Sequence, residues 1–483
     1  MRFKPDFALH PATLFLLLTV LVVACSCVGE FYGLHFVLPM TGETVFVRNL
    51  LSAEGARWIL RSVVSNFQTF EPVSMMVVAM IGVGIAEHSG LWEALLPMRS
   101  NRKRQRVAIL SVIFIGLLSN VIGDANYILM LPLAAFVFRS SSLHPLAGVL
   151  TAFVATSAGY SANVIQTSVD AILASDTLDV AQWLNVPSAH VGSLCTSYFM
   201  AASVPLLTVV IYVMTQRYLI PLLGDYENNV PLRTRVLSSQ ERRAVMVSLT
   251  GGAIFVLAVL IYTFSSLGIF RAVGGGLTRS PFMDGILFLI ALVMGLMGVI
   301  YGFVSGRYSC DVDVVNGSIS GLRLIAPFLL LAFFSAQLNA CLTYSHLSQY
   351  LVVRMTDWLS SLIVFPLSSL FWLAIVTALA NLCMASAAGK WMLMSPLLLV
   401  PLHQAGIAPE EALCAFRIGD SATNILSPVM SYLPVLLAFM QLYTHRFSMR
   451  FLWKCCMPFS LAIFTAWLLL FILWHMVGLP LGL

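Results

Sequence analysis

Ser119-Asn120-Val121-Ile122-Gly123-Asp124 and, far downstream, Arg417-Ile418-Gly419-Asp420-Ser421-Ala422-Thr423-Asn424 place amide, carboxylate, glycine and hydroxyl residues inside otherwise apolar sequence. Around them Asn120, Pro132, Pro145 and Asn163 recur as Asn381, Pro396, Pro409 and Asn424, at offsets of 261, 264, 264 and 261 residues. The blocks Ser119–Asp170 and Asn381–Ser431 therefore read as two copies of one unit. Broken helices persist at membrane depth only where protein or a wet cavity satisfies the freed backbone groups. Paired interruptions in two halves of a chain mark the binding site of a secondary carrier. The reading is an all-α polytopic membrane protein with a duplicated repeat; that the copies are inverted is an expectation from this carrier architecture.

Composition fits that setting. Hydrophobic residues make up 59% of the 483 and charged residues 10%, and mean hydropathy is +0.91. A soluble globule with an ordinary solvated surface is excluded. The net charge of +5 sits in loops, which suits lipid headgroups as partners rather than nucleic acid. The nine cysteines form no CxxC and no spacing with His that holds zinc, so they read as packing residues. Arg2 and Lys4 precede the apolar run Ala12–Ala24, and Val22-Val23-Ala24-Cys25 resembles a lipoprotein cleavage box; the many later spans favour a retained first helix.

A span needs ~20 apolar residues. Apolar stretches lie near 12–29, 72–87, 107–118, 127–138, 146–171, 188–215, 244–267, 283–303, 323–341, 360–380, 390–404, 411–435 and 455–478. Those flanking Asn120 and the one after Asn381 are short enough to be re-entrant hairpins. The basic clusters Arg99–Arg106 and Arg217–Arg243 face the cytoplasm by the positive-inside rule, which leaves 30–71 and 268–281 outside. Residues 216–243, rich in Pro, Gly, Asn and charge, form a cytoplasmic linker between an N-terminal membrane half, 1–215, and a C-terminal half, 244–483.

An ionised side chain at a helix centre costs ~2.5–3.5 kcal/mol on insertion scales, so each intramembrane charge needs a partner or a purpose. Glu87, Asp124, Asp170, Lys390, Arg417 and Asp420 carry that cost; Glu87-His88 ends a span and reads as an interfacial pair. Arg417 and Asp420, three apart, either neutralise each other within one helix or flank an interruption at Gly419 and Ser421–Asn424 whose oxygens suit a hard cation, with Asn381 completing the shell. Asp170 is either a helix cap or a coupling carboxylate, and the same choice stands for Asp124. Trp391, beside Lys390 and after the small-residue run Ala385–Gly389, is either a core or interface residue by type or, at a hairpin tip, stacks on an aromatic substrate while Arg417 grips a carboxylate. Pro409 with Glu410 and Glu411 opens a helix.

At these residues the chain resembles the AbgT family, the p-aminobenzoyl-glutamate transporters. The likeness begins at Glu54-Gly55-Ala56-Arg57-Trp58, runs through Gly82–Leu91, and is most specific at Gly159-Tyr160-Ser161-Ala162-Asn163, Gly389-Lys390-Trp391 and Arg417-Ile418-Gly419-Asp420-Ser421. The resemblance implies a homodimer in the bacterial cytoplasmic membrane, with about nine transmembrane helices and two re-entrant hairpins per protomer. Such proteins import p-aminobenzoyl-glutamate or export sulfonamide-type antimetabolites. The resemblance implies a substrate cavity lined by Asp170, Trp391, Pro409, Arg417, Asp420 and Pro428, with Asn381 and Asp420 near a cation; Asn120 and Asp124 are the first copy's candidates for the same role. Ala388 stands where the family pattern has Ser, which removes one expected hydroxyl contact and leaves substrate choice open. A sodium ion or a proton is the expected coupling ion, and no other cofactor is expected.

A carrier of another small carboxylate, an intramembrane enzyme and a channel are the alternatives. No HExxH or GxSxG motif supports an enzyme, and a channel would repeat one pore segment across subunits rather than two hairpins within a chain.

Overall fold

The computed structural model describes residues 9–95, 101–188, 191–224, 226, 237–265, 268–272, 276, 280–444 and 448–483. The chain opens with helix α1 (Pro11–Phe31), started by Pro11 and by His10, whose ring nitrogen accepts from Ala12 N. An antiparallel hairpin follows, β1 (His35–Val37) with β2 (Thr44–Phe46), in the register His35 to Phe46. Helix α2 (Ala53–Gln68) is capped by Ser52 and breaks at Thr69-Phe70 before α3 (Glu71–His88) and the short α4 (Leu91–Leu95). Residues 30–71, expected as an outside loop, thus carry secondary structure of their own.

The first copy comprises α5 (Arg102–Leu118), a tight turn at Ser119–Ile122, α6 (Ala125–Ser140), α7 (Pro145–Ser157) and α8 (Ser168–Trp183). Helix α9 (Ser197–Met214) continues through a widened turn at Thr215–Leu219 into α10 (Ile220–Leu223). Beyond the linker come α11 (Ser239–Phe264), α12 (Pro281–Asp284), α13 (Ile286–Ser305), α14 (Asp311–Arg323), α15 (Ala326–Ser345) and α16 (Leu347–Ser360). The second copy is α17 (Pro366–Ala380), α18 (Ala387–Gln404), α19 (Pro409–Thr423), a tight turn at Asn424–Leu426, and α20 (Leu433–Gln441); α21 (Met449–Val477) closes the chain.

Among the described residues eight helical stretches are long and apolar enough to cross a membrane, with α6, α7 and α17 apolar but shorter. At 1.5 Å per residue, α6 and α7 reach only about 24 and 20 Å, less than a bilayer's ~30 Å hydrocarbon core. Three expected boundaries move. The stretch 146–171 is not one span: α7 stops at Ser157, and Thr167 starts α8 by accepting from Asp170 N. The stretch 411–435 breaks after Thr423, and α20 restarts with Pro434 near its N-terminus. Helix persists to Leu223 and resumes at Ser239, capped reciprocally by Ser238 and Glu241, so the linker is shorter than 216–243. Arg99, Arg233 and Arg235 of the basic clusters lie outside the described residues.

Helices pair across that linker. Helix α3 packs on α13 and α14, α13 on α11, and α1 and α2 on α15, while α5 to α9 assemble with α17 to α21. Backbones in the first group approach through small residues, as membrane helices do where lipid supplies no hydrophobic drive. A Cβ at Gly82 would lie 2.0 Å from Ala291 O, and one at Gly321 2.2 Å from Met80 O.

Candidate functional site

The duplication seen in sequence recurs as hydrogen bonding. Asn120 sits in the turn after α5, where helical bonding is lost, and its Nδ2 donates to Leu117 O and to Gly159 O at 3.1 and 3.2 Å. Asn381 follows α17 and its Nδ2 donates to Asp420 O at 2.8 Å. Both bonds join residues 39 apart. Each asparagine thus ties the break after one helix to a backbone carbonyl of the next broken segment, which supplies the satisfaction that broken backbone requires.

The other face of each amide is equivalent too, with one difference. Asn120 Oδ1 accepts from Asn126 Nδ2 at 2.6 Å, whereas Asn381 Oδ1 accepts from Lys390 Nζ. Asn126 and Lys390 are 264 residues apart, the offset that relates Pro132 to Pro396. Lys390 is fully buried and also forms an ion pair with Asp420. Asp420 stands where the first copy has Gly159. The second copy therefore holds a buried ion pair where the first is neutral.

A second buried pair joins the copies. Every residue of α19 from Ala412 to Ala422 is buried, including Arg417 and Asp420. Arg417 Nη1 donates to Thr196 Oγ1 at 2.7 Å and Nη2 to Ser161 O at 3.2 Å, and Nη2 pairs with Asp170. Asp170 Oδ2 in turn accepts from Thr167 N at 2.7 Å and Asn163 Nδ2 at 3.4 Å. Nearby, Ser421 Oγ donates to Ser161 Oγ at 2.7 Å, and Asn424 Nδ2 to Ser157 O at 3.2 Å. The loop after α7 is thus stitched to α19 by polar contacts between the two copies.

These contacts correct the intrahelical reading of Arg417 and Asp420. Each finds its partner on another segment, Arg417 on α8 and Asp420 on α18, because side chains of opposite charge there satisfy both charges in the interior. Asp170 is a cap and an ion-pair partner at once: one oxygen holds the start of α8 and the other faces Arg417. Asp124 precedes α6 but makes no side-chain cap hydrogen bond to it. Trp391 is not exposed at a tip. It is fully buried in the first turns of α18, its indole N–H donates to Thr177 Oγ1 at 2.8 Å, and its ring lies 4.7 Å from that of Phe416. Pro409 is the first residue of α19 and buried, and Pro428 is half-buried in the turn before α20. Ala388 lies in the first turn of α18, whose cap is the Ser386 hydroxyl, accepting from Gly389 N at 3.1 Å.

A hard cation takes oxygen ligands. Asn381 Oδ1 and Asp420 Oδ1, one oxygen from each expected ligand, both face the Lys390 ammonium, and Asn120 Oδ1 is taken by Asn126, so with Lys390 in place these oxygens as folded do not fit a sodium ion. Among the described residues no group of three or more His, Cys, Asp or Glu is placed to hold a metal. Sequence reasoning counted the cost of Lys390 but gave it no partner, and it missed Asn126, Thr196 and Thr177. The signal for Asn126 was present: the offset of 264 carries Lys390 onto it.

The sequence matches the AbgT putative transporter family over residues 6–483. It is 29% identical to the p-aminobenzoyl-glutamate transport protein of Escherichia coli K12 across 98% of this chain and 93% of that protein. Among solved structures it is similar to the YdaH transporter of Alcanivorax borkumensis, with 32% identity, TM-score 0.53, and coverage of 98% of this chain and 100% of that one. It is also similar to MtrF of Neisseria gonorrhoeae, described as illuminating a class of antimetabolite efflux pumps, with 30% identity, TM-score 0.51, and coverage of 97% and 96%. These matches and the apolar helices make the chain an integral membrane transporter rather than an enzyme, and it belongs to the AbgT family.

Proposed function

We propose that this chain is a homodimeric secondary carrier, driven by a proton or cation gradient, for p-aminobenzoyl-glutamate and related folate metabolites, with sulfonamide-type antimetabolites as exported cargo. The observation that carries the reading is the pair of buried ion pairs, Arg417–Asp170 and Lys390–Asp420, both anchored on α19 beside broken backbone from both copies. Charges so placed stay in the membrane interior only when matched, and their exchange of partners provides a way to couple an ion to a substrate. An anionic substrate competes with Asp170 for the Arg417 fork. Neutralising Asp170 from outside frees that fork, and restoring its charge expels the substrate. The copies supply the two elements of alternating access, inverted with respect to each other.

The E. coli relative's name supports p-aminobenzoyl-glutamate as the cargo to test first, and MtrF's description supports efflux. Counterflow in proteoliposomes, with p-aminobenzoyl-glutamate and a sulfonamide under imposed sodium or proton gradients, tests the reading. Accumulation of labelled cargo that tracks one gradient is expected. Exchange indifferent to both gradients overturns the coupling, and no exchange of either cargo overturns the substrate class in favour of another small carboxylate.

A further inference from the structure

We infer that Lys390 is a tethered cation: its ammonium fills the position between Asn381 and Asp420 that a coupling sodium ion would need, and the lysine thereby excludes sodium from this site. The inference deepens the coupled-carrier reading by setting its ion specificity.

Three observations lead there. First, the orientation of the Asn381 amide is fixed. Its Nδ2 faces Asp420 O at 2.8 Å, Asn424 Oδ1 at 2.8 Å and Thr423 Oγ1 at 3.2 Å, and the backbone oxygen among these can only accept. Oδ1 must then point away from them, and it meets Lys390 Nζ. Second, that Nζ also pairs with the Asp420 carboxylate, on a side chain with no exposed surface. One side-chain oxygen from each of the two expected ligands, Asn381 Oδ1 and Asp420 Oδ1, is thus directed at the same ammonium.

Third, the first copy shows what the fold alone needs at this place. There Asn126, a neutral amide, donates to Asn120 Oδ1, and Gly159 stands in place of Asp420. A donor to the break asparagine is the structural requirement. The second copy meets it with a charged donor and matches that charge with a carboxylate. The pair is neutral as it stands. A sodium ion added beside it would leave one uncompensated positive charge in the membrane interior, which is strongly unfavourable. Asp420 becomes available to an external ion only when Lys390 moves away, and its flexible four-carbon stem permits that movement.

Removing the lysine should therefore create a sodium site that the wild type lacks. The test is the melting temperature of the purified full chain in detergent, titrated with NaCl against choline chloride at constant ionic strength, since an ion that binds only the folded state raises it by mass action. Wild type should show no sodium-specific shift. Lys390→Ala should gain a saturable sodium-specific rise, and Lys390→Ala with Asp420→Asn should lose it again. If Lys390→Ala does not fold in choline, Lys390→Gln carries the same test, because it keeps a neutral donor for Asn381 as Asn126 does for Asn120. A sodium-specific rise in wild type that Asp420→Asn abolishes overturns the inference, as does a folded Lys390 variant that gains no sodium response. Ion binding at equilibrium is read here without any cargo, so this result is independent of whether p-aminobenzoyl-glutamate is transported.

Discussion

Replacing Asp170 by Asn separates its two tasks, because the substitution preserves one and destroys the other. As the acidic N3 partner in the capping box at the start of α8, Asp170 accepts from Thr167 N at 2.7 Å, and Asn keeps a side-chain carbonyl oxygen that can accept the same bond. As the partner of Arg417 it supplies the only carboxylate that, among the described residues, forms an ion pair with that buried guanidinium. The variant leaves Arg417 with Thr196 Oγ1 and Ser161 O, both neutral acceptors. Breaking a buried pair from one side costs about 3–5 kcal/mol. Hydrogen bonds to a charged group are worth about 1.5–3 kcal/mol each, and the two that remain place the loss at the lower end of that range, about 3 kcal/mol. Asp170→Asn with Arg417→Met removes both charges and conserves much of the volume, so it should recover at least about 2 kcal/mol of the loss. Unfolding the four proteins of this cycle with SDS in mixed micelles measures the coupling directly. A single Asp170→Asn variant as stable as wild type, with no recovery in the double variant, would falsify the assignment of Asp170 as the counter-charge and leave it a cap alone.

Two further outcomes are expected. Trp391→Phe should fold and lose about 0.5–1.5 kcal/mol with the indole bond to Thr177, and calorimetric affinity for p-aminobenzoyl-glutamate should be unchanged; a stable variant that no longer binds it would make Trp391 a substrate contact. Gly419→Ala brings a Cβ to 2.2 Å from Ala374 O where α17 and α19 touch, so these helices must separate, with a loss of about 1–3 kcal/mol in SDS unfolding; a melting curve like wild type would show that the contact yields freely.

The repeated asparagines were legible because they are polar punctuation in apolar sequence. Position alone related Asn120 to Asn381 and Asn163 to Asn424, and the first pair makes the same bond across 39 residues in each copy. The breaks themselves were less legible. Hydropathy runs unbroken through 146–171, where helix is lost between Ser157 and Ser168, and the interruption read at Gly419 and Ser421–Asn424 falls later, since α19 stays helical through Gly419 to Thr423. The partners of the charges were not legible at all. Arg417 and Asp420 look like a pair at helical spacing, and nothing in local order says that Arg417 will meet a carboxylate 247 residues earlier.

The sequence by itself determined that this chain lies in a membrane, that its interior charges must be compensated, and that one broken-helix unit occurs twice. These follow from transfer free energies and spacing, which depend on residue type and order alone. Only the tertiary structure decided how the charges pair, that Trp391 is buried against Thr177 and Phe416, and that Lys390 contacts both Asn381 and Asp420. Pairing is settled by which segments the packing of α8, α18 and α19 brings within hydrogen-bond distance, and that proximity is a property of the assembled helices rather than of any one of them.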